Sequence, residues 1–434
     1  MSQNKEKLFE AFKKVRDAAA LLSYSAISER NLALKAVAKA LDENHAEITE
    51  ENLKDIEAAA LNGTSEVLLH RLKLSDDKMA SLAAGLTELQ KLPDPVGRTS
   101  EKRELDSGFI LEKQTFPIGV IGMIFESRPD ALVQIAALAL KSGNGIILKG
   151  GREAANINRK LVSVIKKATS GFSFGSDWIL GIESHEDVDI LLNSEAYVDL
   201  LIPRGSNEFV RHVMENTRIP VIGHSGGICA TYVESYEDMG KALKVCIDAK
   251  VQYPAACNAT ETFLINKNIA DAFLPELNRV LRENNVKVHA DEQALKLMPG
   301  SVPAKEEDFY TEYLGLECSV KVVSSVQEAI KHIQNHGSHH TDAILTLNME
   351  NAALFVAKVD SADVFVNCST RFADGFRFGL GAEVGISTSK LHARGPVGLD
   401  GLMTTKWVLT GNGQTVAEYS GPEGKPFRHR ELDI

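Results

Sequence analysis

Apolar residues at the start of the chain recur with the period of an amphipathic helix. Across residues 5–92 they lie three or four positions apart, with charged residues between them. Examples are Leu34, Val37, Ala38 and Leu41. Such spacing places the apolar side chains on one face of a helix, which can then pack against a core. The pattern predicts an all-helical N-terminal layer that ends at Pro93 and Pro95.

Beyond residue 118, short apolar runs alternate with amphipathic stretches. The predicted strands of a first unit are residues 119–124, 145–149, 178–180, 199–203 and 228–233. Helices are predicted at residues 130–141 and 154–168. The pattern restarts near residue 250, and the predicted strands of a second unit are residues 262–265, 286–289, 320–323, 343–347 and 363–366. Strands that alternate with helices form mainly parallel, doubly wound sheets, so the predicted fold class is α/β with two such units.

Two segments do not follow this alternation. Residues 104–115 contain the turn sequence Asp106-Ser107-Gly108 between apolar and polar residues, which predicts a β-hairpin. Residues 404–418 have the composition of an extended strand with a Gly-Asn-Gly turn. We therefore predict a small β flap beside the two α/β units.

Composition narrows the class of protein. The chain has 434 residues, enough for more than one hydrophobic core, and its net charge of −11 argues against a nucleic-acid-binding surface. Residues 1–14 are polar and charged, unlike a signal peptide, and the longest apolar block, residues 131–140, is too short to span a bilayer. The five cysteines form no CxxC pair, which is typical of a reducing compartment. We expect a cytoplasmic protein without nucleic-acid or membrane partners.

One cysteine lies where chemistry is favoured. Cys257 follows a turn that contains Pro254 and precedes the apolar run of residues 263–265. A thiol at such a bend, among small residues, has an open approach to its sulfur and has backbone N–H groups nearby. A nucleophile that attacks a carbonyl needs both. The alternative is an inert buried thiol, the common state of free cysteine, and this pattern alone leaves both interpretations open.

Charged residues follow several predicted strands. Lys149 ends one strand, Arg204 and Gly205 follow another, and Arg128 comes after a third. Ligands of open parallel sheets bind beyond the carboxyl ends of the strands, so these residues predict a cofactor cleft that faces Cys257. The chain contains no GxGxxG sequence, the usual sign of a dinucleotide site.

A family resemblance rests on five segments. They begin FESRPDALVQ, IPRGSNEFV, YPAACNATET, HGSHHTDAI and STRFADGFRF, and they cover residues 125–151, 202–210, 253–262, 336–344 and 369–402. On these segments the chain resembles the aldehyde dehydrogenase superfamily, and more closely its branch of gamma-glutamyl phosphate reductases. They run through most of the chain in the expected order. No kinase half precedes them, so we expect a stand-alone reductase.

The resemblance implies a domain organisation and a reaction. Residues 1–102 and 119–249 would form an NADP-binding domain with the helical layer, residues 250–402 a catalytic thiol domain, and residues 103–118 with 403–434 an oligomerisation flap. The implied reaction is the NADPH-dependent reduction of L-glutamyl 5-phosphate to L-glutamate 5-semialdehyde with release of phosphate, the second step of proline biosynthesis. A homo-oligomer is expected, because the flap would otherwise leave open sheet edges. Association with a glutamate kinase stays open.

The resemblance also implies roles around the thiol. Cys257 would be the nucleophile that forms a thioester, and a backbone N–H of Cys257 or Asn258 would hold the oxyanion. Arg128 stands where other aldehyde dehydrogenases carry the asparagine that holds the oxyanion. Its guanidinium would bind the substrate's phosphate or carboxylate, or the oxyanion itself. The alternative for Arg128 is a structural ion pair with Glu126 or Asp130.

Five residues match cofactor-binding positions of the family. Lys149 would bind the adenosine ribose, and Arg152 stands where NAD-using members carry an acidic residue, so its cation would favour the 2′-phosphate of NADP. Gly205, followed by Ser206, matches the loop-to-helix turn that approaches the pyrophosphate. Glu312 matches the glutamate that binds the nicotinamide ribose. A solvated charge is the alternative interpretation for Lys149, Arg152 and Glu312.

Two more regions have expected roles. Arg371 and Arg377, in a glycine- and phenylalanine-rich segment, would hold the α-carboxylate of the substrate; a structural loop between domains is the alternative. His224 stands where other members carry the glutamate that activates a hydrolytic water, and the loss of that carboxylate favours reduction over hydrolysis. A hydrogen-bonding role in its loop is equally open for His224.

Four histidines suggest a metal site, and two other functions stay open. His332 and His336 lie one helical turn apart, with His339 and His340 after them. No general-base glutamate lies between them and the resemblance involves no metal, so we expect none. The other candidate functions are an NAD-dependent aldehyde dehydrogenase or acyl-CoA-reducing relative, and a non-catalytic scaffold with the same fold.

Overall fold

The computed structural model describes residues 3–126, 128–223, 226–380 and 383–434. The helices in these ranges are α1 Gln3–Tyr24, α2 Ile27–Glu43, α3 His45–Leu61, α4 Glu66–Leu72, α5 Asp76–Lys91, α6 Pro129–Ser142, α7 Ala155–Thr169, α8 His185–Leu192, α9 Asn207–Glu215, α10 Met239–Val251, α11 Lys267–Glu283, α12 Glu292–Leu295, α13 Val326–His336 and α14 Met349–Lys358. The strands are β1 Thr99–Asp106, β2 Phe109–Pro117, β3 Val120–Phe125, β4 Gly145–Lys149, β5 Ile179–Ile182, β6 Leu200–Arg204, β7 Cys229–Val233, β8 Thr260–Asn266, β9 Lys287–Ala290, β10 Val302–Pro303, β11 Glu317–Val323, β12 Thr341–Leu345, β13 Asp363–Val366, β14 Gly385–Ser387, β15 Gly395–Val397, β16 Met403–Thr410 and β17 Arg430–Glu431. Among the helices described, none has the length and apolar character to cross a membrane.

Helices α1 to α5 form the predicted N-terminal layer. The apolar positions that repeat along α2 are buried and belong to one core cluster with the apolar face of α6. These positions are Ala33, Leu34, Val37 and Leu41. The amphipathic pattern thus predicted both the helices and the face that packs on the first sheet unit.

Helix α6 is buried around most of its circumference and is anchored at its carboxyl end by charged groups. Arg30 of α2 is 1% exposed; it donates to the carbonyl oxygen of Lys141 at 2.6 Å and pairs with both carboxylate oxygens of Asp94 at 2.8 and 2.9 Å. Lys141 is itself buried, and its Nζ donates to the carbonyl oxygens of Gln90 and Leu92 at 3.2 and 2.8 Å. These bonds fasten α6 to the helical layer.

The first sheet is parallel, with strand order β5-β4-β3-β6. Strands β3 and β4 are buried at every position, as expected for parallel strands covered on both faces. Because β3 pairs with β4 and β6, Ile124 lies opposite Lys149, and Phe125 lies opposite Arg204. The carboxyl ends of the three strands meet at one edge, from which the chain continues to Arg128.

The second sheet has the order β10-β9-β11-β8-β7-β12-β13 and is also parallel. The placement of residues 228–233 in the first unit is wrong, since β7 pairs with β8 and β12. The predicted boundary at residue 249 therefore does not separate the two sheets. The chain passes from the first sheet to the second between Val221, which bridges to Leu201 of β6, and Cys229, the first residue of β7. The prediction was wrong because a buried apolar strand can pair in either sheet, and the strands that pair with β7 lie at a distance from it in the sequence.

The last part of the segment 250–402 returns to the first core. Its buried apolar residues belong to the same cluster as the helical layer. They are Val384, Ala393, Val397, Leu399 and Leu402. Strands β14 and β15 form a small antiparallel pair in this part. The segment predicted as one thiol unit thus contributes to both cores.

The flap is a four-stranded antiparallel sheet of order β16-β2-β1-β17. The hairpin predicted at residues 104–115 is confirmed by the pairing of β1 with β2. Strand β16 pairs along β2, but the strand predicted at residues 404–418 ends at Thr410. Gly413 has a φ of +86°, a left-handed conformation that turns the chain, and residues 416–419 form a short 3₁₀ helix.

Candidate active site

Cys257 lies in the turn segment between α10 and β8. The N–H groups of Ala256 and Ala259 donate to the carbonyl oxygens of Tyr253 and Ala256 at 3.1 and 2.9 Å, so the bend predicted around Pro254 consists of consecutive turns. The Cys257 residue is partly buried. Ala259, at the end of the turns, is fully buried and anchors the segment to the start of β8.

Gly227 approaches the backbone of Cys257 closely. A Cβ atom on Gly227 would lie 2.0 Å from the carbonyl oxygen and 2.5 Å from the Cα of Cys257. Only a glycine fits such an approach between two backbones. The loop before β7 therefore helps to set the position of the thiol.

His340 contacts the sulfur of Cys257. Its Nε2 lies 3.1 Å from the Cys257 Sγ, and its Nδ1 lies 2.8 Å from the Oγ1 of Thr341. The Thr341 hydroxyl in turn donates to Oδ2 of Asp363 at 3.4 Å. These residues lie at the amino ends of β8, β12 and β13, whereas Lys149 lies at the carboxyl end of β4. From the sequence, His340 was considered only as a candidate metal ligand, because 83 residues separate it from the thiol.

The electrostatic surroundings keep the thiol protonated. The pKa of Cys257 is raised to about 12, mainly by burial and also by the charges of Glu312 and Glu383, whereas the charge of Arg204 opposes the increase. At neutral pH the sulfur therefore carries its hydrogen when no other group removes it.

Asn258 joins the thiol turn to the arginine-rich segment. Its Nδ2 donates to the carbonyl oxygen of Ala373 at 2.7 Å, while its buried Oδ1 has no hydrogen-bond partner among the described residues. The side chain thus fixes the thiol turn against the arginine-rich segment, and the oxyanion role of the backbone N–H of Cys257 or Asn258 stays a prediction.

Arg128, Arg204 and Glu383 form a charged group close to the thiol. Burial lowers the pKa of Arg204; the charges of Glu383 and Cys257 oppose this change, and that of Arg128 adds to it. Glu383 accepts a hydrogen bond from the N–H of Gly375 at 2.8 Å. The sequence noted Arg204 only as a residue beyond a strand end and missed Glu383. These three charges come from segments that are distant in the sequence.

The alternative ion pair of Arg128 is absent from the described residues. Arg128 directly precedes α6, where it is partly buried, and none of the ion pairs within 4.0 Å joins it to Glu126 or Asp130. Its guanidinium is thus not neutralised by either carboxylate that the sequence suggested.

Arg371 and Arg377 lie together beside the thiol turn. Arg371 is buried; its Nε donates to Oε1 of Gln252 at 2.9 Å, and its guanidinium lies 5.8 Å from the ring centroid of Tyr253. Arg377 donates from Nη1 to the carbonyl oxygen of Arg371 at 2.6 Å. Burial lowers the pKa of Arg371, Arg377 adds to the effect, and the charge of Cys257 opposes it.

A cavity of about 270 Å³ lies beyond the carboxyl ends of β4 and β5, next to α7. Arg152 lines it and is exposed, and Asn158 lines it with a buried Oδ1 that has no partner among the described residues. Arg159 and Glu183 form a bidentate ion pair at 2.8 and 2.9 Å within the lining. Nearby Lys149 is buried, and burial lowers its pKa while the charge of Glu153 opposes the change.

The start of α9 connects the two sheet units. The hydroxyl of Ser206 caps this helix by accepting from the N–H of Phe209 at 3.3 Å. Asn207 donates from Nδ2 to Oε2 of Glu312 at 2.7 Å. A Cβ on Gly205 would already touch Phe209 at 3.0 Å. Three of the predicted cofactor residues, Gly205, Ser206 and Glu312, therefore converge here.

The four histidines do not share one site. The rings of His332 and His336 stack with centroids 4.1 Å apart, and His336 Nε2 lies 2.9 Å from Oε1 of Glu306. His339 bonds to the carbonyl oxygen of Asp360 instead, and His340 contacts the thiol. Within the described ranges, no group of three or more potential ligands could hold a metal ion. His224 lies outside the described residues.

Comparison with known proteins identifies the family. The family model described as "Aldehyde dehydrogenase family" matches residues 1–302. The gamma-glutamyl phosphate reductase of Acetivibrio thermocellus is 49% identical over 419 residues, which are 96% of this chain and 97% of that protein. The chain belongs to the aldehyde dehydrogenase family. The expected resemblance is thereby confirmed.

Solved structures of the aldehyde dehydrogenase family agree. The crystal structure of gamma-glutamyl phosphate reductase from Thermotoga maritima has a TM-score of 0.92 and 41% identity, covering 94% of this chain and 99% of that one. Betaine aldehyde dehydrogenase from Staphylococcus aureus, solved in complex with NAD⁺, has a TM-score of 0.65 and 17% identity, covering 96% and 90%. The predicted α/β fold of the aldehyde dehydrogenase type is confirmed. The chain is thus an oxidoreductase of the aldehyde dehydrogenase family.

Proposed function

We propose that this aldehyde dehydrogenase family member catalyses the NADPH-dependent reduction of L-glutamyl 5-phosphate to L-glutamate 5-semialdehyde, with release of phosphate. The observation that carries the proposal is the setting of the Cys257 thiol near the guanidinium groups of Arg204 and Arg371, both of which would stabilise a thiolate there. A nucleophile with two arginines nearby suits a substrate that carries both a phosphate and a carboxylate. Relatives named gamma-glutamyl phosphate reductase, near half identical over almost the whole chain, support the same substrate.

Cys257 performs the covalent steps in this proposal. Its sulfur attacks the acyl carbon of the substrate, the bond to the phosphate oxygen breaks, and a thioester forms. The residues around α7 and α9 would hold NADPH, which would supply the hydride that this carbon receives. The carbon–sulfur bond then breaks, which releases the aldehyde and returns the thiol. Sulfur serves here both as nucleophile and as leaving group, and a hydroxyl would be a poor leaving group in the last step. The backbone N–H of Cys257 or Asn258 holds the oxyanion.

The arginines bind the two anionic groups of the substrate. We assign Arg128 to the phosphate or the oxyanion, because it precedes α6 without an ion pair to its neighbouring carboxylates. Arg371 and Arg377 hold the α-carboxylate, since they lie together beside the thiol turn. Bidentate contacts from guanidinium groups suit both anions.

The residues around α7 and α9 fit a dinucleotide. The unpartnered Oδ1 of Asn158 and the cavity beside it suit a polar, flat group such as an adenosine. Lys149 would bind its ribose, and Gly205 with Ser206 would place the start of α9 at the pyrophosphate. Glu312 would bind the nicotinamide ribose.

Arg152 supports NADP over NAD. It is exposed at the cavity, and within the described residues it forms no ion pair. A cation at this position attracts a 2′-phosphate, whereas an acidic residue would bind the 2′-hydroxyl.

A homo-oligomer forms through the flap in this proposal. Strand β16 is one of the two outer strands of the flap sheet, and Trp407 and Leu409 on it are 53% and 50% exposed. An open edge with exposed large apolar side chains is covered by a second copy of the chain in an oligomer. Association with a glutamate kinase would protect the labile acyl phosphate, and it is tested by co-purification.

One assay separates the candidate functions. The purified protein is mixed with pyrroline-5-carboxylate, phosphate and NADP⁺, and formation of NADPH is followed. NADPH formation that requires phosphate supports the proposal. Oxidation without phosphate indicates a simple aldehyde dehydrogenase, and no reaction indicates a scaffold. The Cys257→Ser variant is the control and should lose at least 10³-fold in rate, on the order expected when a nucleophile is lost.

A further inference from the structure

We infer that His340 is the catalytic base that takes the proton of the Cys257 thiol as its sulfur attacks, and that Thr341 and Asp363 position its ring for this step. The inference rests on the proposed thioester chemistry. It adds three residues for which the sequence motifs suggested no catalytic role.

The imidazole is held against the sulfur by the sheet itself. His340 Nε2 lies 3.1 Å from the Cys257 Sγ, within hydrogen-bond reach, and the His340 side chain is fully buried. His340 directly precedes β12, which pairs with β7, and β7 pairs with β8. Cys257 lies just before β8. Base and nucleophile are thus fixed by neighbouring strands rather than by a long loop.

The hydrogen bonds behind the ring select the productive tautomer. The Thr341 hydroxyl donates to Oδ2 of Asp363 at 3.4 Å, so its oxygen lone pairs face Nδ1 of His340 at 2.8 Å. Nδ1 therefore carries the ring hydrogen, and Nε2 presents its lone pair to the thiol hydrogen. Burial raises the pKa of Asp363 to about 6, which still leaves its carboxylate mostly ionised at pH 7 or above.

The thiol needs such a base. With its pKa raised to about 12 by burial, together with Glu312 and Glu383, an unassisted Cys257 would be a thiolate in roughly one molecule in 10⁵ at pH 7. A thiolate is the reactive form of cysteine. A positioned general base typically contributes about 10²–10⁴-fold in rate.

The proton transfers balance over one catalytic cycle. The thiol hydrogen moves to Nε2 of His340 while the sulfur electron pair forms the bond to the acyl carbon. Phosphate leaves with the electron pair of the broken carbon–oxygen bond and takes the proton from the imidazolium, departing as hydrogen phosphate. After the hydride step, the aldehyde forms as the carbon–sulfur bond breaks. The thiolate then receives one proton from solvent through His340, which restores the starting state.

The test uses the full-length protein and two readouts. The first is the second-order rate of Cys257 alkylation by iodoacetamide, followed by mass spectrometry of the peptide, which requires neither substrate nor cofactor. The second is kcat and KM for phosphate-dependent NADP⁺ reduction. For His340→Gln we expect alkylation to slow at least tenfold and kcat to fall about 10²–10⁴-fold with KM changed less than threefold.

Chemical rescue by imidazole and a matched control variant distinguish a catalytic base from a residue that only maintains the structure. In His340→Ala, added imidazole should raise kcat at least tenfold above its value without imidazole. A variant that had lost only packing would not recover in this way. Thr341→Val, which removes the acceptor for Nδ1–H, should slow kcat about tenfold without rescue. His339→Asn is the control, since His339 bonds to Asp360 and its φ of +61° suits asparagine. This control should keep both rates.

The outcomes are distinct. Wild-type alkylation and kcat in a folded His340→Gln protein, or equal loss in His339→Asn, would overturn the inference. If both His340 variants fail the thermal-melting check for folding, Thr341→Val decides, and an unchanged kcat in it overturns the inference. An active Cys257→Ala protein would instead overturn the proposed function, whatever the His340 variants show.

Discussion

Gly227 gives the sharpest structural prediction for activity. In Gly227→Ala the new methyl group would lie 2.0, 2.5 and 2.6 Å from the O, Cα and C atoms of Cys257, all of them backbone. Because all three atoms belong to the backbone, no side-chain rotation can relieve the clash. One of the two loops must therefore move by roughly 1 Å or more before the methyl group reaches a normal van der Waals distance. A displacement of about 1 Å at a reacting centre can cost about 100-fold in rate. We therefore expect kcat to fall at least about 100-fold.

The neighbouring glycine is the matched control. A Cβ on Gly226 would meet its nearest atoms at 3.7 and 3.9 Å, which is ordinary contact. Gly226→Ala should therefore stay within about threefold of the wild-type kcat, since a contact at that distance displaces nothing. Both variants are assayed for phosphate-dependent NADP⁺ reduction, with circular dichroism and thermal melting as checks of folding. Equal kcat values in the two alanine variants would refute the reasoning, because the same substitution one residue apart would then act independently of the clash.

Three further predictions concern stability, cofactor choice and pH. Lys250 and Glu261 are a fully buried ion pair with Nζ and Oε2 2.5 Å apart, so Lys250→Met should destabilise the protein by about 3–5 kcal/mol in denaturant unfolding. Adding Glu261→Gln to the Lys250→Met variant should recover most of the lost stability. Equal stability of the single and the double variant would contradict the explanation by an unpaired buried charge. Arg152→Glu should raise the KM for NADPH at least tenfold, because a charge-assisted hydrogen bond contributes about 1.5–3 kcal/mol. The KM for NADH should stay within about threefold of the wild-type value. Equal changes in the two KM values would exclude a contact between Arg152 and the 2′-phosphate. Because burial raises the pKa of Cys257 to about 12, the rate of its alkylation in His340→Gln, which lacks the inferred base, should keep rising from pH 7 to pH 10, and a plateau near pH 8.5 in that variant would contradict the burial of the thiol.

Local patterns predicted most of the elements. The strands at residues 145–149 and 363–366 were predicted with the bounds that the structure has, because compact apolar runs there are bordered by polar or small residues. The helical layer followed from its periodicity in the same way. Each of these signals is contained within a few neighbouring residues, where propensity and spacing decide the outcome.

Contacts between distant segments were not predictable in this way. The apolar run of β7 is equally suited to either sheet, and only its pairing with β8 and β12 decides. His340 meets Cys257 because β12 and β8 both flank β7, and no spacing rule connects residues that far apart in the chain. Arg204 and Glu383 were likewise missed as members of the charged group, since Arg204 ends a strand of the first sheet and Glu383 belongs to the late segment that returns to that core.

The buried helix α6 links the active site to a distant part of the molecule. Its amino end follows Arg128, and its carboxyl end is tied down through Lys141 and Arg30. A helix of 14 residues is a stiff rod of about 21 Å. The Arg128 guanidinium, which we propose binds the substrate's phosphate or the oxyanion, thus lies at the other end of a helix whose carboxyl end is fixed by hydrogen bonds. We therefore expect that substituting Arg30 or Lys141, although both lie in the helical layer or at its border, would displace Arg128.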